Sequence, residues 1–112
     1  MDIKKLYGSV CAVCGEMPLY TFLAHLDRFA QRVINRFGKA YTVIDGEYIA
    51  PDTLDGGFGI DGAYYTAALS FVLGEYKGDE RLILQSEKDA EDAYKSLWRA
   101  RAKGKQIIKE VW

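Results

Sequence analysis

Four stretches of the sequence place apolar residues at the three- and four-residue spacing of an amphipathic helix. The first runs over residues 3–14 and stops at Gly15, and the second follows Pro18 and stops at Gly38. Proline suits a first helical turn, and glycine suits the position just after a last turn. The second stretch has the clearest apolar face, formed by Leu19, Phe22, Leu23, Leu26, Phe29, Ala30, Val33, Ile34 and Phe37.

The third and fourth stretches each follow an aspartate that can cap a helix, Asp61 and Asp79. Residues 61–76 are apolar on nearly every side, which predicts a helix surrounded by other helices. Gly78 separates it from the fourth helix, whose basic last turns reach Lys103, where the helix dipole favours positive charge. The predicted inner face of the fourth helix contains Leu82, Ile83, Ser86, Ala90, Ala93, Tyr94, Leu97 and Trp98.

Between the second and third helices the pattern changes. Residues 41–50 are rich in β-branched and aromatic side chains around Asp45 and Gly46, a dipeptide typical of a tight hairpin turn. The glycine-rich residues 52–59 predict a mobile loop, too polar to pack. The expected fold class is therefore mainly α: a small four-helix domain with a short β-hairpin and a flexible loop between helices 2 and 3. We expect this domain to cover residues 1–103.

Residues 104–112 form the expected C-terminal tail. It follows a basic, glycine-containing joint and carries four large apolar residues, Ile107, Ile108, Val111 and Trp112. Chain ends are usually poorly ordered unless they are tied down. An apolar end therefore predicts a docking surface, either on the same domain or on a partner.

The composition is that of one globular domain, with 49% hydrophobic and 28% charged residues in 112. No apolar run approaches the roughly 20 residues of a membrane span, and the first ten residues lack the apolar core of a signal peptide. We expect the protein to stay in the cytosol, with no membrane partner. Two cysteines in such a compartment are expected to stay reduced.

Charge is distributed unevenly along the chain. Residues 1–44 carry six bases and three acids, residues 45–92 three bases and twelve acids, and residues 93–112 six bases and one acid. The overall net charge of -1 and a pI near 5.8 argue against a dedicated nucleic-acid binder. An acidic middle between basic ends favours association of one copy with another, although an unevenly charged, solvated surface explains it equally well.

Arg28, Arg32 and Arg36 are the most suggestive polar residues. They stand four residues apart and therefore line one face of the second helix. That face is a candidate contact for phosphate or for the acidic region of a second copy, and the alternative is a solvated helix face.

Cys11 and Cys14 form a Cys-x-x-Cys pair, which raises three possibilities. Both lie on the apolar face of the first helix, so we favour two buried structural cysteines. A redox pair normally lies at a helix start, where the dipole lowers the thiol pKa, whereas this pair lies at a helix end. A closed zinc site needs four ligands, and beyond the cysteines the chain has a single histidine, His25.

No other pattern indicates an active site. His25 has no residue at a spacing that marks a catalytic partner, and it is expected to be a surface histidine. The glycines around Gly57 and Gly59 lack the offsets of a phosphate-binding loop. We therefore expect a non-enzymatic protein with no metal and no cofactor.

The order of elements resembles the small head-tail connector, or neck adaptor, proteins of tailed bacteriophages and prophages. The resemblance is strongest over residues 61–102, DGAYYTAALSFVLGEYKGDERLILQSEKDAEDAYKSLWRARA. There an apolar helix rich in Ala and Tyr ends at Gly-Asp, and a helix with Ala-x-x-Ala-Tyr follows. Ala50-Pro51-Asp52 is similar to the family's central segment, and Gly15-Glu16 to its helix–helix joint.

The resemblance implies a structural ring of around twelve copies beneath the portal of a phage, through which DNA passes without sequence-specific binding. The implied partners are further copies of the chain, the portal protein and a tail-side neck protein. The implied location is the host cytoplasm during assembly and then the virion neck. In such rings the C-terminal segment reaches the portal, which gives the apolar tail a partner.

Two other classes of function stay open. One is a small helical nucleic-acid-binding or regulatory module that uses the arginines of the second helix. The other is a zinc or thiol protein that uses Cys11 and Cys14.

Overall fold

The computed structural model describes the backbone of residues 1–44 and 46–111, and side-chain surroundings for residues 1–44 and 46–102. This part of the chain forms four α-helices: α1 (Ile3–Cys14), α2 (Leu19–Phe37), α3 (Tyr65–Lys77) and α4 (Glu80–Val111). Short 3-10 helices cover Lys39–Tyr41 and Gly62–Tyr64. The predicted mainly helical class is confirmed.

The helix ends follow the capping residues read from the sequence. The Asp61 carboxylate accepts a hydrogen bond from the Ala63 N–H at 2.9 Å, and the Asp79 carboxylate accepts one from the Arg81 N–H at 3.0 Å. Gly78, between α3 and α4, has a φ of 65°, in the left-handed region that favours glycine. The predicted bounds of α1 and α2 are confirmed.

The predicted β-hairpin around Asp45 and Gly46 is wrong. In the described residues, Val43 instead forms an isolated antiparallel bridge with Ile60, at the far end of the connection. The Ile44 N–H donates to the Gly59 carbonyl at 2.9 Å. Residues 41–50 have strand-like composition, but their partner is distant in sequence, so the local pattern could not identify it.

The predicted mobile loop, residues 52–59, contributes Phe58 to the core, with 3% of it exposed, and the adjacent Ile60 is fully buried. Upstream of them, the Tyr48 hydroxyl donates a 2.7 Å hydrogen bond to the Asp27 carboxylate of α2. The Tyr48 ring also packs edge-on against Phe58. The connection between α2 and α3 is therefore anchored to the helical body at several points.

The core lies between α2 and α3 and is closed by α1 and α4. Phe29 of α2 packs on Phe71 of α3, with ring centroids 5.7 Å apart. Tyr64 is fully buried, and its hydroxyl donates to the Tyr41 carbonyl at 3.0 Å. The other core side chains are Ile3, Leu6, Val10, Met17, Phe22, Leu23, Leu26, Ala30, Val33, Ala67, Ala68, Val72, Leu73, Ala90 and Ala93.

Helices α3 and α4 form a tight hairpin because Gly74 has no side chain. A Cβ atom placed there would lie 2.9 Å from Ile83 Cγ1 and 3.0 Å from Leu82 Cβ. Farther along the pair, the buried Ser86 hydroxyl donates to the Ala67 carbonyl at 2.8 Å. These contacts fix how α4 leaves the body.

Helices α2 and α4 run in the same direction. Successive contacts join Arg32 to Glu87 and Arg36 to Glu91, and Phe37 then stacks on Tyr94 with centroids 4.6 Å apart. Helix α4 consequently continues beyond the end of α2, to Val111, across the predicted boundary at residue 103.

The inner face of α4 is as predicted at Ser86, Ala90 and Ala93, which are buried. Trp98 departs from the prediction, because 52% of it is exposed. It lies where α4 has passed the end of α2, so α2 does not cover its ring.

Candidate interaction surfaces

Three surfaces could carry function. The first is an arginine row on α2 formed by Arg28, Arg32 and Arg36. The second is the junction between α1 and α2, and the third is the C-terminal part of α4. The tail residues Ile107, Ile108, Val111 and Trp112 lie outside the residues whose side chains the structure describes.

The arginine row faces carboxylates of the same chain. Arg28 lies 3.1 Å from Glu75 of α3, and Arg32 lies 3.0 Å from Glu87 of α4. Arg36 lies 3.6 Å from Glu91 and donates to the Glu87 backbone carbonyl at 3.2 Å. The acidic partner that the sequence suggested on a second copy is thus present within the fold. As half-exposed pairs, these contacts add little stability each.

Beneath the arginine row lies an open groove of about 480 Å³ between α2 and α4. Its floor includes the buried rings of Phe29 and Phe71. The Arg32 guanidinium lies 5.3 Å from the centre of the Phe71 ring and extends across this floor. The groove is therefore already covered in part by the protein's own arginine.

The two cysteines lie at the edge of the core. Cys11 and Cys14 are free thiols, and both are half-buried and packed against core residues. The cysteines were predicted to be buried; they contact the core as expected but are only partly buried, since their neighbours Ala12, Val13 and Gly15 are exposed. Within residues 1–44 and 46–102, no three His, Cys, Asp or Glu side chains are grouped closely enough to hold a metal ion.

His25 is half-buried, not the surface residue that the sequence predicted. Its Nδ1 atom is buried and has no hydrogen-bond partner among the described residues. Burial lowers the pKa of His25 below its ordinary value; nearby Glu75 opposes this effect and Arg28 adds to it. The neutral imidazole is therefore the form that the fold favours.

The α1–α2 corner, formed by Val13, Glu16, Pro18, Leu19 and Tyr20, is the apolar surface that sequence reasoning missed. Val13 is 58% exposed and Tyr20 is 78% exposed. A neighbouring open cavity of about 420 Å³ is lined in part by Cys11, Glu16 and Pro18. One sequence signal could have revealed it: between Leu6 and Leu26 the only Asp, Glu, Lys or Arg is Glu16.

The corner has a defined shape because a tyrosine closes it. The Tyr7 hydroxyl of α1 donates to the Met17 carbonyl between the two helices, and the Tyr7 ring packs on Phe22 of α2 with centroids 4.8 Å apart. Helices α1 and α2 meet at 112°. The exposed apolar residues are therefore held on a fixed turn of the backbone.

At the other end of the molecule, the described part of α4 carries aromatic and basic side chains. The Arg101 guanidinium lies 4.3 Å from the centre of the Tyr41 ring and donates to the Ala40 carbonyl. A shallow depression of about 300 Å³ is lined by Tyr94, Lys95, Trp98 and Arg99. This end of the described chain is basic, in contrast to the nearly uncharged corner.

The sequence matches no protein-family model, and comparison with curated proteins and with solved structures gives no match either. Among the described residues, no single helix has the length and apolar composition to cross a membrane; α1 and α2 meet that test only as a bent pair.

Proposed function

We propose that this protein is a non-enzymatic structural subunit of a tailed phage or prophage, forming a ring adaptor between portal and tail through which DNA passes. The observation that carries the proposal is the α3–α4 hairpin, which spans the residues that resemble neck adaptors. Its Gly78-Asp79 joint coincides with the Gly-Asp that ends the apolar helix in that family's pattern.

The surfaces of the chain suit association between proteins. An apolar corner lies at one end, and a long helix with a basic C-terminal half leaves the other end. Exposed apolar side chains grouped on a fixed backbone are typical of contact surfaces. A subunit with different surfaces at its two ends can join neighbours head to tail, which gives a ring when the rotation between copies closes.

The alternative of a nucleic-acid module receives less support. Phosphate binding needs arginines that are available to phosphate oxygens. Arg28, Arg32 and Arg36 each lie against a glutamate of the same chain, so a phosphate would have to displace a carboxylate at every one. A DNA titration at two salt concentrations tests this alternative, since phosphate binding weakens steeply with salt.

Electron microscopy of the full chain, alone and mixed with the portal protein encoded by the same genome, tests the proposal. We expect rings with a central hole on the portal. As a second readout, antibodies against the chain should label the neck of tailed particles released by the source strain. Particles that carry no label at the neck, together with no binding to portal, would contradict the proposed function.

A further inference from the structure

The two ends of the molecule carry surfaces that complement each other. The α1–α2 corner exposes Val13, Leu19 and Tyr20 around a single carboxylate, Glu16. The last ten residues carry three lysines, one glutamate and four large apolar residues. A partner that covers the corner has to be apolar and to tolerate a negative charge, and the C-terminal segment has that composition.

The backbone of α4 is helical to Val111, so the spacing of a helix decides which apolar residues of the segment share a face. In a helix, residues that are three or four positions apart lie on one face. Ile107, Ile108 and Val111 satisfy this spacing, and Gly104 extends the same face with a residue that lets another backbone approach closely. The sequence of the segment is therefore that of an amphipathic helix, which can lay one face against an apolar surface.

The segment cannot cover the corner of its own chain. Helix α2 has 19 residues, so the corner at its start lies about 27 Å from its end. Helix α4 runs parallel to α2, passes that end at Tyr94, and has Arg101 against Ala40. Its remaining residues lead farther from the corner, so the segment can reach a corner only on another molecule.

We propose that the C-terminal segment, residues 103–112, docks on the α1–α2 corner of a second copy of the chain. The apolar face that includes Ile108 covers Tyr20 and its neighbours. The lysines of the segment lie near Glu16, the one formal charge of the corner. A pair joined in this way keeps a free corner on one copy and a free segment on the other.

Such a contact is heterologous: the two surfaces that meet are different. Repetition gives a ring if the rotation between copies closes and a filament if it does not. The inference assigns the segment to a second copy of the chain, in place of the portal protein that the resemblance to neck adaptors implies. It deepens the proposed ring adaptor and rests on that proposed function only for closure into a ring. Pairing of segment with corner follows from the two surfaces themselves.

Sedimentation velocity of the full chain over a range of concentrations tests the contact. We expect the wild type to associate as concentration rises. Tyr20→Asp in the corner and Ile108→Asp in the segment should each raise the dissociation constant about tenfold or more, as loss of a central contact residue does. Ile49→Asp is the matched control, because Ile49 is 76% exposed but lies in the α2–α3 connection; it should associate like the wild type.

Mixing the two variants gives the sharpest readout. A Tyr20→Asp molecule retains an intact segment, and an Ile108→Asp molecule retains an intact corner. At a concentration at which the wild type associates, each variant alone should be mainly monomeric, yet the mixture should form a 1:1 dimer and nothing larger. Far-ultraviolet circular dichroism and thermal melting establish that each variant is folded. Should Tyr20→Asp unfold, Glu16→Lys replaces it, since it places a positive charge against the lysines and should also weaken association.

A wild type that stays monomeric at every concentration would overturn the contact. So would association that neither variant weakens, or variants that fail to pair when mixed. These outcomes are separable from failure of the proposed function. A 1:1 dimer of the mixed variants without binding to portal supports the contact and removes the adaptor role. Rings on portal that both variants still form remove the contact and support the adaptor role.

Discussion

Replacement of Gly74 by alanine tests the close approach of α3 and α4. The added methyl carbon would lie 3.0 Å from the Ile83 backbone nitrogen and 2.9 Å from Ile83 Cγ1. Carbon atoms in good contact are separated by about 3.5–4.0 Å. A backbone atom cannot move aside as the tip of a side chain can, so the two helices must separate by several tenths of an ångström.

The magnitude follows from two opposing effects. Overpacking a well-packed site costs about 1–3 kcal/mol. Alanine gains about 1 kcal/mol over glycine in a helix interior. Because the clash includes backbone, we place the overpacking cost in the upper part of its range and expect Gly74→Ala to lower the free energy of unfolding by about 1–2 kcal/mol.

Gly8→Ala is the matched control. Gly8 lies within α1, is exposed, and has no atom within 4 Å of the added Cβ position. It should show the propensity gain alone and stabilise the protein by about 1 kcal/mol. Urea unfolding followed by far-ultraviolet circular dichroism measures both variants. If Gly74→Ala proves as stable as Gly8→Ala, the described packing of α3 on α4 is incorrect.

Three further predictions concern buried polar groups. The pKa of His25 is lowered in the fold, so below about pH 6.5 the unfolded chain binds a proton at His25 more readily than the folded chain, and the protein should lose stability. His25→Gln should remove that part of the pH dependence of urea unfolding. An equal loss of stability in wild type and variant would contradict the prediction. Ser86→Ala should be less stable than the control Ser96→Ala by about 1 kcal/mol, because Ser86 donates a buried hydrogen bond whereas Ser96 is exposed on the same helix. Equal free energies of unfolding in urea would count against that bond. Burial raises the pKa of Tyr64 to about 12, so the stability that its neutral form contributes is complete below about pH 10 and is lost as the pH rises through 12. In thermal melts, Tyr64→Phe should lose less stability than the wild type over this alkaline range. An unchanged pH profile would refute the prediction.

The helices could be predicted from the sequence because their signals are local. Apolar spacing, the aspartate caps and Gly38 each act within one or two turns, so α1 and α2 have the bounds that the sequence indicates. The connection between α2 and α3 could not be predicted in this way. Val43 pairs with Ile60 across a long loop, and no local pattern records that pairing.

For the surfaces too, local features could be predicted from the sequence and long-range contacts could not. The alignment of the arginine row on one face of α2 was readable from its spacing. That Arg32 meets Glu87 depends on how two distant helices pack, which the spacing does not contain. The corner was not predicted for a related reason: the exposure of Val13 and Tyr20 depends on how α1 and α2, which meet at 112°, pack on the rest of the chain.

The continuity of α4 has a geometric consequence for everything that follows Arg101. Packing of Ala90 and Ala93 in the core fixes the rotational phase of the helix, and an unbroken helix transmits that phase to Val111. Inserting one residue after Arg101 would turn the end of the helix by about 100°, whereas inserting seven would nearly restore its orientation. The direction in which the last turns face is thus determined by small side chains several turns upstream.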